Sequence, residues 1–392
     1  MKRFSRSSLT TMAVCLLFIP ALLKAQPRPA HRKKVGVVLS GGGAKGMAHI
    51  GVLKVIEKAG IPIDYVVGTS MGSIIGGLYS IGYSPEQLDS MVRRQDWTFL
   101  LSDKIPRSEQ NLSERDASQK YVFSIPFGKG VKAEVFGGLI RGQNLANLFS
   151  ELTIGYHDSI NFNKLPIPFA CVSENIVNGN EVNFHEGVLA TAMRASMAIP
   201  GVFTPVRLDS MVLVDGGVVN NYPVNVARAM GADLIIGVDV QSELKPAGEL
   251  NSAGAILGQL VNLMGQDLYK KNLKETTTYI KVNVEGYSAA SFTPSAIDTL
   301  IMRGEEAAMA QDSALMALKS QLGLDSTYMP QPIPSYPYSP ERKVYVKEIT
   351  FDGLDEKDKK WLLKRCDLKE NSEISIRRIE EATAIPVSYT HL

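Results

Sequence analysis

Cysteine, histidine and net charge are all scarce in this sequence, and each scarcity removes a class of protein. Three cysteines, Cys15, Cys171 and Cys366, cannot build a disulfide scaffold or a four-thiolate zinc site. Cys171 lies in the apolar stretch "PIPFACVSEN" and Cys366 near the far end, so each reads as a separate small buried hydrophobe. Lys and Arg total 42 against 40 Asp and Glu, which leaves no basic excess of the kind a nucleic-acid partner requires. The apolar run "MAVCLLFIPALL" holds 12 residues, short of the roughly 20 that span a bilayer. It follows Lys2, Arg3 and Arg6 and is closed by Ala25, the pattern of a signal peptide over residues 1–25. Export is therefore expected, to a periplasmic, outer-membrane-associated or secreted location. Losing that leader removes four basic residues and no acid, so the remainder is near neutral.

From Val35 onward, short β-rich runs alternate with helical periodicity, which predicts an α/β domain around a mainly parallel sheet. The first strand is "VGVVLS", followed by a helix over 44–59 that Gly60 and Pro62 stop. The second strand, "YVVG", runs into "TSMG" and a helix of small residues. In "SPEQLDSMVRRQDW" Ser84 can cap a helix, Pro85 suits its first turn and Gln87 stands at the capping-box position. Residues 97–118 read as a loop whose apolar start, "WTFLL", either folds onto the core or dips into a lipid interface. Further strands are expected at "KYVFSIPF", "KAEVFGG", "IPFACVSE", "MVLVDGG" and "DLIIGVDV". Helices are expected at "RGQNLANLFSEL", "GVLATAMRASMA" and "PVNVARAMG", with longer helical stretches over 253–274 and 294–322. Five prolines among residues 330–340 mark a stiff connector. The chain thus divides into the leader, a main domain (33–325, motif core 35–240), a Pro-rich linker (326–342) and a tail (343–392). The tail reads strand, turn, helix, connector, helix.

Chemistry concentrates at three glycine-rich points. Gly41, Gly43 and Gly46 satisfy G-x-G-x-x-G between a strand and a helix, which suits a dinucleotide's pyrophosphate or a transient oxyanion. A dinucleotide also needs an acid at the end of the second strand. Asp64 stands at its start, and the end is taken by Gly68-Thr69-Ser70-Met71-Gly72. A P-loop fails sooner, because Met47 occupies the place of its lysine. The pentapeptide fits G-x-S-x-G, which at a strand-to-helix junction sets a serine on a strained turn with its hydroxyl exposed. That hydroxyl needs a base. Among His31, His49, His157, His185 and His391, only His391 follows the best acid candidate, so the order nucleophile, acid, histidine is implausible. His49 reads as a packed helix residue. A carboxylate is the economical alternative, with Asp215 the strongest candidate, since "VLVDGG" ends an apolar strand on an acid followed by Gly216 and Gly217. Taken alone, Asp-Gly-Gly is equally a turn.

In this order "GGGAKG", "GTSMG" and "DGG" resemble the motifs of the patatin-like phospholipases, and "ASMAIPGVFTPV" is similar to the segment before that family's aspartate. The resemblance covers residues 35–240. It implies a three-layer α/β/α fold and a Ser-Asp dyad without metal or cofactor, acting on fatty-acyl esters of phospholipids or related lipids at a membrane interface. Ser70 would be the nucleophile and Asp215 the general base. Gly41, Gly42, Gly43, Ala44, Lys45 and Gly46 would form the oxyanion segment, with the N–H groups of Gly42, Gly43 and Ala44 facing the charge. Gly68, Thr69, Met71 and Gly72 would frame the elbow, and Gly216 and Gly217 the turn after the acid. Lys45 is either an exposed charge or a contact for an anionic headgroup. The tail resembles the start of a POTRA domain, the βααββ module found before outer-membrane barrels, and so implies a barrel in a longer chain. Two other classes stay open: an interaction module with a vestigial serine site, and a dinucleotide-binding oxidoreductase. Headgroup, acyl position, chain length and oligomeric state are not written in these motifs.

Overall fold

The computed structural model describes residues 32–104, 138–251, 253–334, 341–350 and 356–387. The leader over 1–25, the strand expected at "KYVFSIPF", nearly all of that at "KAEVFGG", and linker residues 335–340 lie outside them.

The main sheet is built from β1 (Val35–Leu39), β2 (Tyr65–Thr69), β3 (Phe169–Asn175), β4 (Asn180–Phe184), β5 (Val206–Leu208), β6 (Met211–Asp215), β7 (Leu234–Asp239) and β8 (Thr278–Lys281). Its order is β8-β7-β1-β2-β3-β6-β5, with β4 also paired to β3. The pairings from β8 to β3 are parallel, and those that bring in β4, β6 and β5 are antiparallel. Strand alternation splits the apolar residues between two faces. Val35, Val37, Leu39, Val66, Phe169 and Ile236 enter one core, while Val38, Val67, Ala170, Val172 and Ile235 enter the other. The first core takes helices α1 (Ala48–Lys58) and α2 (Met71–Ser80), and the second takes α3 (Val224–Ala229). This is the expected α/β/α sandwich around a mainly parallel sheet.

One register decides where the chemistry falls. Strand β4 covers one edge of β3 from Cys171 to Asn175, so β2 and β6 must share the other edge, end to end. Thr69 lies opposite Val172, and Asp215 opposite Ser173. The two strands arrive from opposite directions and finish on adjacent residues of β3.

Several helices depart from expectation. The helix expected over 44–59 begins as a 3-10 turn, Gly43–Met47, before α1. The stretch over 253–274 breaks at Gly265 into α4 (Ala253–Met264) and α5 (Gln266–Lys274), and that over 294–322 into α6 (Pro294–Met309) and a helix at Asp312–Gln321. The Ser84 capping box forms as expected, with reciprocal bonds to Gln87 of 3.2 and 2.9 Å. "WTFLL" folds inward: Trp97 stacks on Phe292 with centroids 4.8 Å apart and donates its Nε1–H to the Val92 carbonyl at 2.9 Å. Of the two readings of this segment, the packing supports folding onto the core. In the tail, Lys343–Val346 pairs antiparallel with Ser372–Ser375, so the expected connector contains a strand, seated by buried Ile374. Helices Glu356–Arg365 and Ile376–Val387 accompany the pair.

Helices α1 and α6 cross at glycine. A Cβ on Gly51 would lie 2.0 Å from the Ile301 carbonyl oxygen, and one on Gly304 2.0 Å from that of Ala48. Alanine would favour an isolated helix by about 1 kcal/mol, but backbone on backbone has no room to yield. Gly304→Ala is expected to destabilise the domain by about 2–3 kcal/mol, read from urea unfolding; a stabilised variant would contradict this packing.

Candidate active site

Ser70 is the single residue between β2 and α2, and its backbone is strained at φ 55°, ψ −124°. Four contacts hold the turn. Ser70 N–H donates to Ser196 Oγ at 3.0 Å, and Ser196 Oγ–H donates to the Val172 carbonyl at 2.6 Å. Thr69 Oγ1 donates to the Asn220 carbonyl at 2.9 Å, and Ser73 Oγ to the Ser70 carbonyl at 2.6 Å. The glycines of the elbow serve close approach: a Cβ on Gly68 would lie 2.3 Å from the Gly72 carbonyl oxygen, and one on Gly72 2.2 Å from that of Leu39. Met71, at the start of α2, packs against Gly46 and lines the cavity described below.

Because β2 and β6 end side by side on β3, the short side chains of Ser70 and Asp215 meet directly. Ser70 Oγ–H donates to Asp215 Oδ2 at 2.6 Å, and Gly217 N–H donates to Oδ1 at 2.7 Å. Gly216 presses on β3, where a Cβ would lie 2.2 Å from the Val172 carbonyl oxygen. Both members of the pair are buried. Burial pushes the Asp215 carboxyl up to about 6, while the bonds from Ser70 and Gly217 pull the other way.

The glycine-rich segment runs beside this pair, with Gly41 close to the Ser70 Cβ. Gly41 N–H donates to the Asn221 carbonyl at 3.3 Å. Ala44 N–H donates to the Ala289 carbonyl at 2.9 Å, so the expectation that it faces an oxyanion is corrected. The N–H groups of Gly42 and Gly43 have no hydrogen-bond partner among the described residues. Gly43 has φ +57°, and a Cβ there would meet the Ala289 carbonyl oxygen at 2.4 Å. Lys45 is not an exposed charge: it is buried and donates to Ser242 Oγ at 2.8 Å. Burial, then nearby Lys281, lowers its pKa to about 8.

Gly43 and Ser70 both line an apolar cavity of about 330 Å³. Its walls include Leu78, Leu145, Phe149, Phe203 and Phe292. Such a space has room for an alkyl chain and few groups to bond a polar ligand.

The competing chemistries lose their residues. His49 is buried with Nε2 2.8 Å from the Ser40 carbonyl oxygen, and burial pushes its pKa down to about 4, which keeps it neutral and packed. Among the described residues no histidine bonds Ser70 or Asp215. Asp64 accepts two bonds from Arg32 at 2.6 and 2.7 Å and one from Val35 N–H at 2.8 Å, at the far end of the strands from the elbow. The end of β2, where a dinucleotide ribose needs its acid, is occupied by the elbow instead. Ser196 and Asn220 escaped the sequence reading; "ASMAIPG" marked the neighbourhood of the first but not its bond to the elbow.

A serine elbow facing a buried carboxylate, on an α/β/α scaffold, is the class that fold and site define. Residues 37–228 match the model of the patatin-like phospholipase family, and the chain carries a patatin-like phospholipase domain. It is 31% identical over 221 residues to the lysophospholipase NTE1 of Candida albicans, covering 55% of this chain and 14% of that protein. It is 29% identical over 230 residues to an uncharacterised NTE-family protein of Mycobacterium tuberculosis, covering 58% of this chain and 55% of that one. The chain thus spans about half the length of the second relative and far less of the first. Human GIVD cytosolic phospholipase A2 aligns with a TM-score of 0.40 and 14% identity over 74% of this chain and 60% of that one. That likeness is too shallow to bear on function.

The Asp215 carboxyl is expected to titrate near pH 6 in the folded protein. Ser70→Ala should raise that value, because it removes a donor that favours the carboxylate. Carboxyl 13C NMR checks both; titration near the ordinary value of about 3.9 would contradict the buried geometry.

Proposed function

We propose that the domain is a serine acyl hydrolase that cleaves fatty-acyl esters of phospholipids or related lipids through a Ser70–Asp215 dyad. The 2.6 Å bond from Ser70 Oγ to Asp215 Oδ2, beside an apolar cavity, carries this reading. Asp215 takes the Ser70 proton as Oγ attacks the ester carbonyl, and the carbonyl oxygen gains the negative charge. The unpartnered N–H groups of Gly42 and Gly43 stabilise that charge, each donor lowering the barrier by on the order of 3 kcal/mol. As the acyl-Ser70 bond forms, the protonated Asp215 gives its proton to the departing alcohol oxygen. Water then attacks the acyl-serine with Asp215 again as base, releasing the fatty acid. The start of α2 at the elbow places the positive end of a helix dipole beside the reacting oxygen. Names of similar proteins support the substrate class: a lysophospholipase, and a family described as phospholipases.

A base must be ionised to accept a proton. With Asp215 at about 6, kcat/KM on a medium-chain nitrophenyl ester is expected to fall below about pH 6, tenfold per unit well beneath it. Ser70→Ala and Asp215→Asn should each abolish that hydrolysis while the circular dichroism spectrum is unchanged. Full activity in either purified variant would overturn the dyad. An inert native protein would return the domain to the non-catalytic interaction module.

A further inference from the structure

Helix α4, "AGAILGQLVNLM", carries no charged residue. Ile256, Leu260, Leu263 and Met264 are 47–68% exposed, and their spacing sets them on one side of the helix. The helix also packs on the Gly216–Val218 turn that follows Asp215, where Asn262 lines a small polar recess with Gly217. Exposed Leu244 joins the apolar patch, because Gln259 exchanges bonds of 3.0 and 3.2 Å with the backbone of Lys245. Directly after Gly265, α5 exposes Lys270, Lys271 and Lys274 at a spacing that shares one face, with Asp267 as the single exposed acid.

A contiguous apolar patch rimmed by polar residues marks an interaction surface. A helix of 12 residues is about 18 Å long, too short to cross a bilayer of about 30 Å. It can lie in the interfacial plane. We propose that α4 and α5 form a docking surface for an anionic phospholipid bilayer. The stripe enters the boundary between headgroups and acyl chains, and the three lysines meet lipid phosphates. Charge favours this occupant over a second copy of the chain, since a symmetric pair meeting across the patch would bring two lysine sets together. The inference rests on the proposed lipid substrate for its biological sense. It holds the Asp215 turn about one helix diameter, roughly 10 Å, from the lipid.

The test separates docking from catalysis. Flotation of the full chain carrying Ser70→Ala, on phosphatidylcholine vesicles with and without phosphatidylglycerol, reads binding without turnover. Hydrolysis of a water-soluble nitrophenyl ester by the otherwise native chain reads catalysis without docking. Binding is expected on the anionic vesicles and not on the neutral ones, and to weaken in high salt. Leu260→Asp with Met264→Asp should lower it about tenfold or more, as should Lys270→Gln with Lys271→Gln and Lys274→Gln. Neither set should change ester hydrolysis, which also verifies that both variants fold. Unchanged flotation in the Leu260→Asp, Met264→Asp variant, or no flotation of the parent, overturns the proposal. A dimeric mass in solution that falls to a monomer in that variant overturns it in favour of a second copy. Loss of ester hydrolysis in native protein that still floats would count against the dyad, not the docking surface.

Discussion

The site depends on two strands that meet head to head. Strand β3 has one edge filled by β4, and β2 and β6 divide the other, so Thr69 and Asp215 finish opposite adjacent residues. Serine and aspartate have short side chains, and this convergence lets them touch without an intermediary. The parallel half of the sheet supplies the elbow and its helix. The antiparallel addition supplies the acid, at the end of a strand that finishes one β3 residue away from the elbow's.

Burial then sets the chemistry. A carboxylate in water is too weak a base to help a serine near neutral pH, but burial brings Asp215 to about 6. Gly217 keeps one oxygen occupied, leaving Oδ2 to the hydroxyl. The strain at Ser70 persists because Ser196, Thr69 and Ser73 fix the backbone around it. Burial of both side chains strengthens each of these interactions.

Features set by local sequence were legible before the structure. The elbow follows from glycines flanking a serine at a strand's end, the Ser84 box from its own spacing, and the sheet from runs of β-branched residues. What depends on distant partners was not. Nothing near Ala44 announces that its N–H is taken by Ala289, and nothing near Ser196 announces its bond to Ser70. Lys45 looked solvated because charge in a loop normally is, yet the segment after β7 covers it. "WTFLL" and α4 make the same point in opposite directions. Both are apolar in sequence, but Phe292 covers Trp97, whereas Ile256, Leu260, Leu263 and Met264 of α4 are exposed.

The central claim is that Asp215 makes Ser70 a nucleophile. Intact-mass analysis after exposure to a fluorophosphonate tests it most directly, since displacement of fluoride by a serine oxygen leaves a covalent mark. The account predicts one adduct, mapped to Ser70, forming far more slowly in Asp215→Asn. An unlabelled protein, an adduct elsewhere, or equal rates in the two proteins would contradict it.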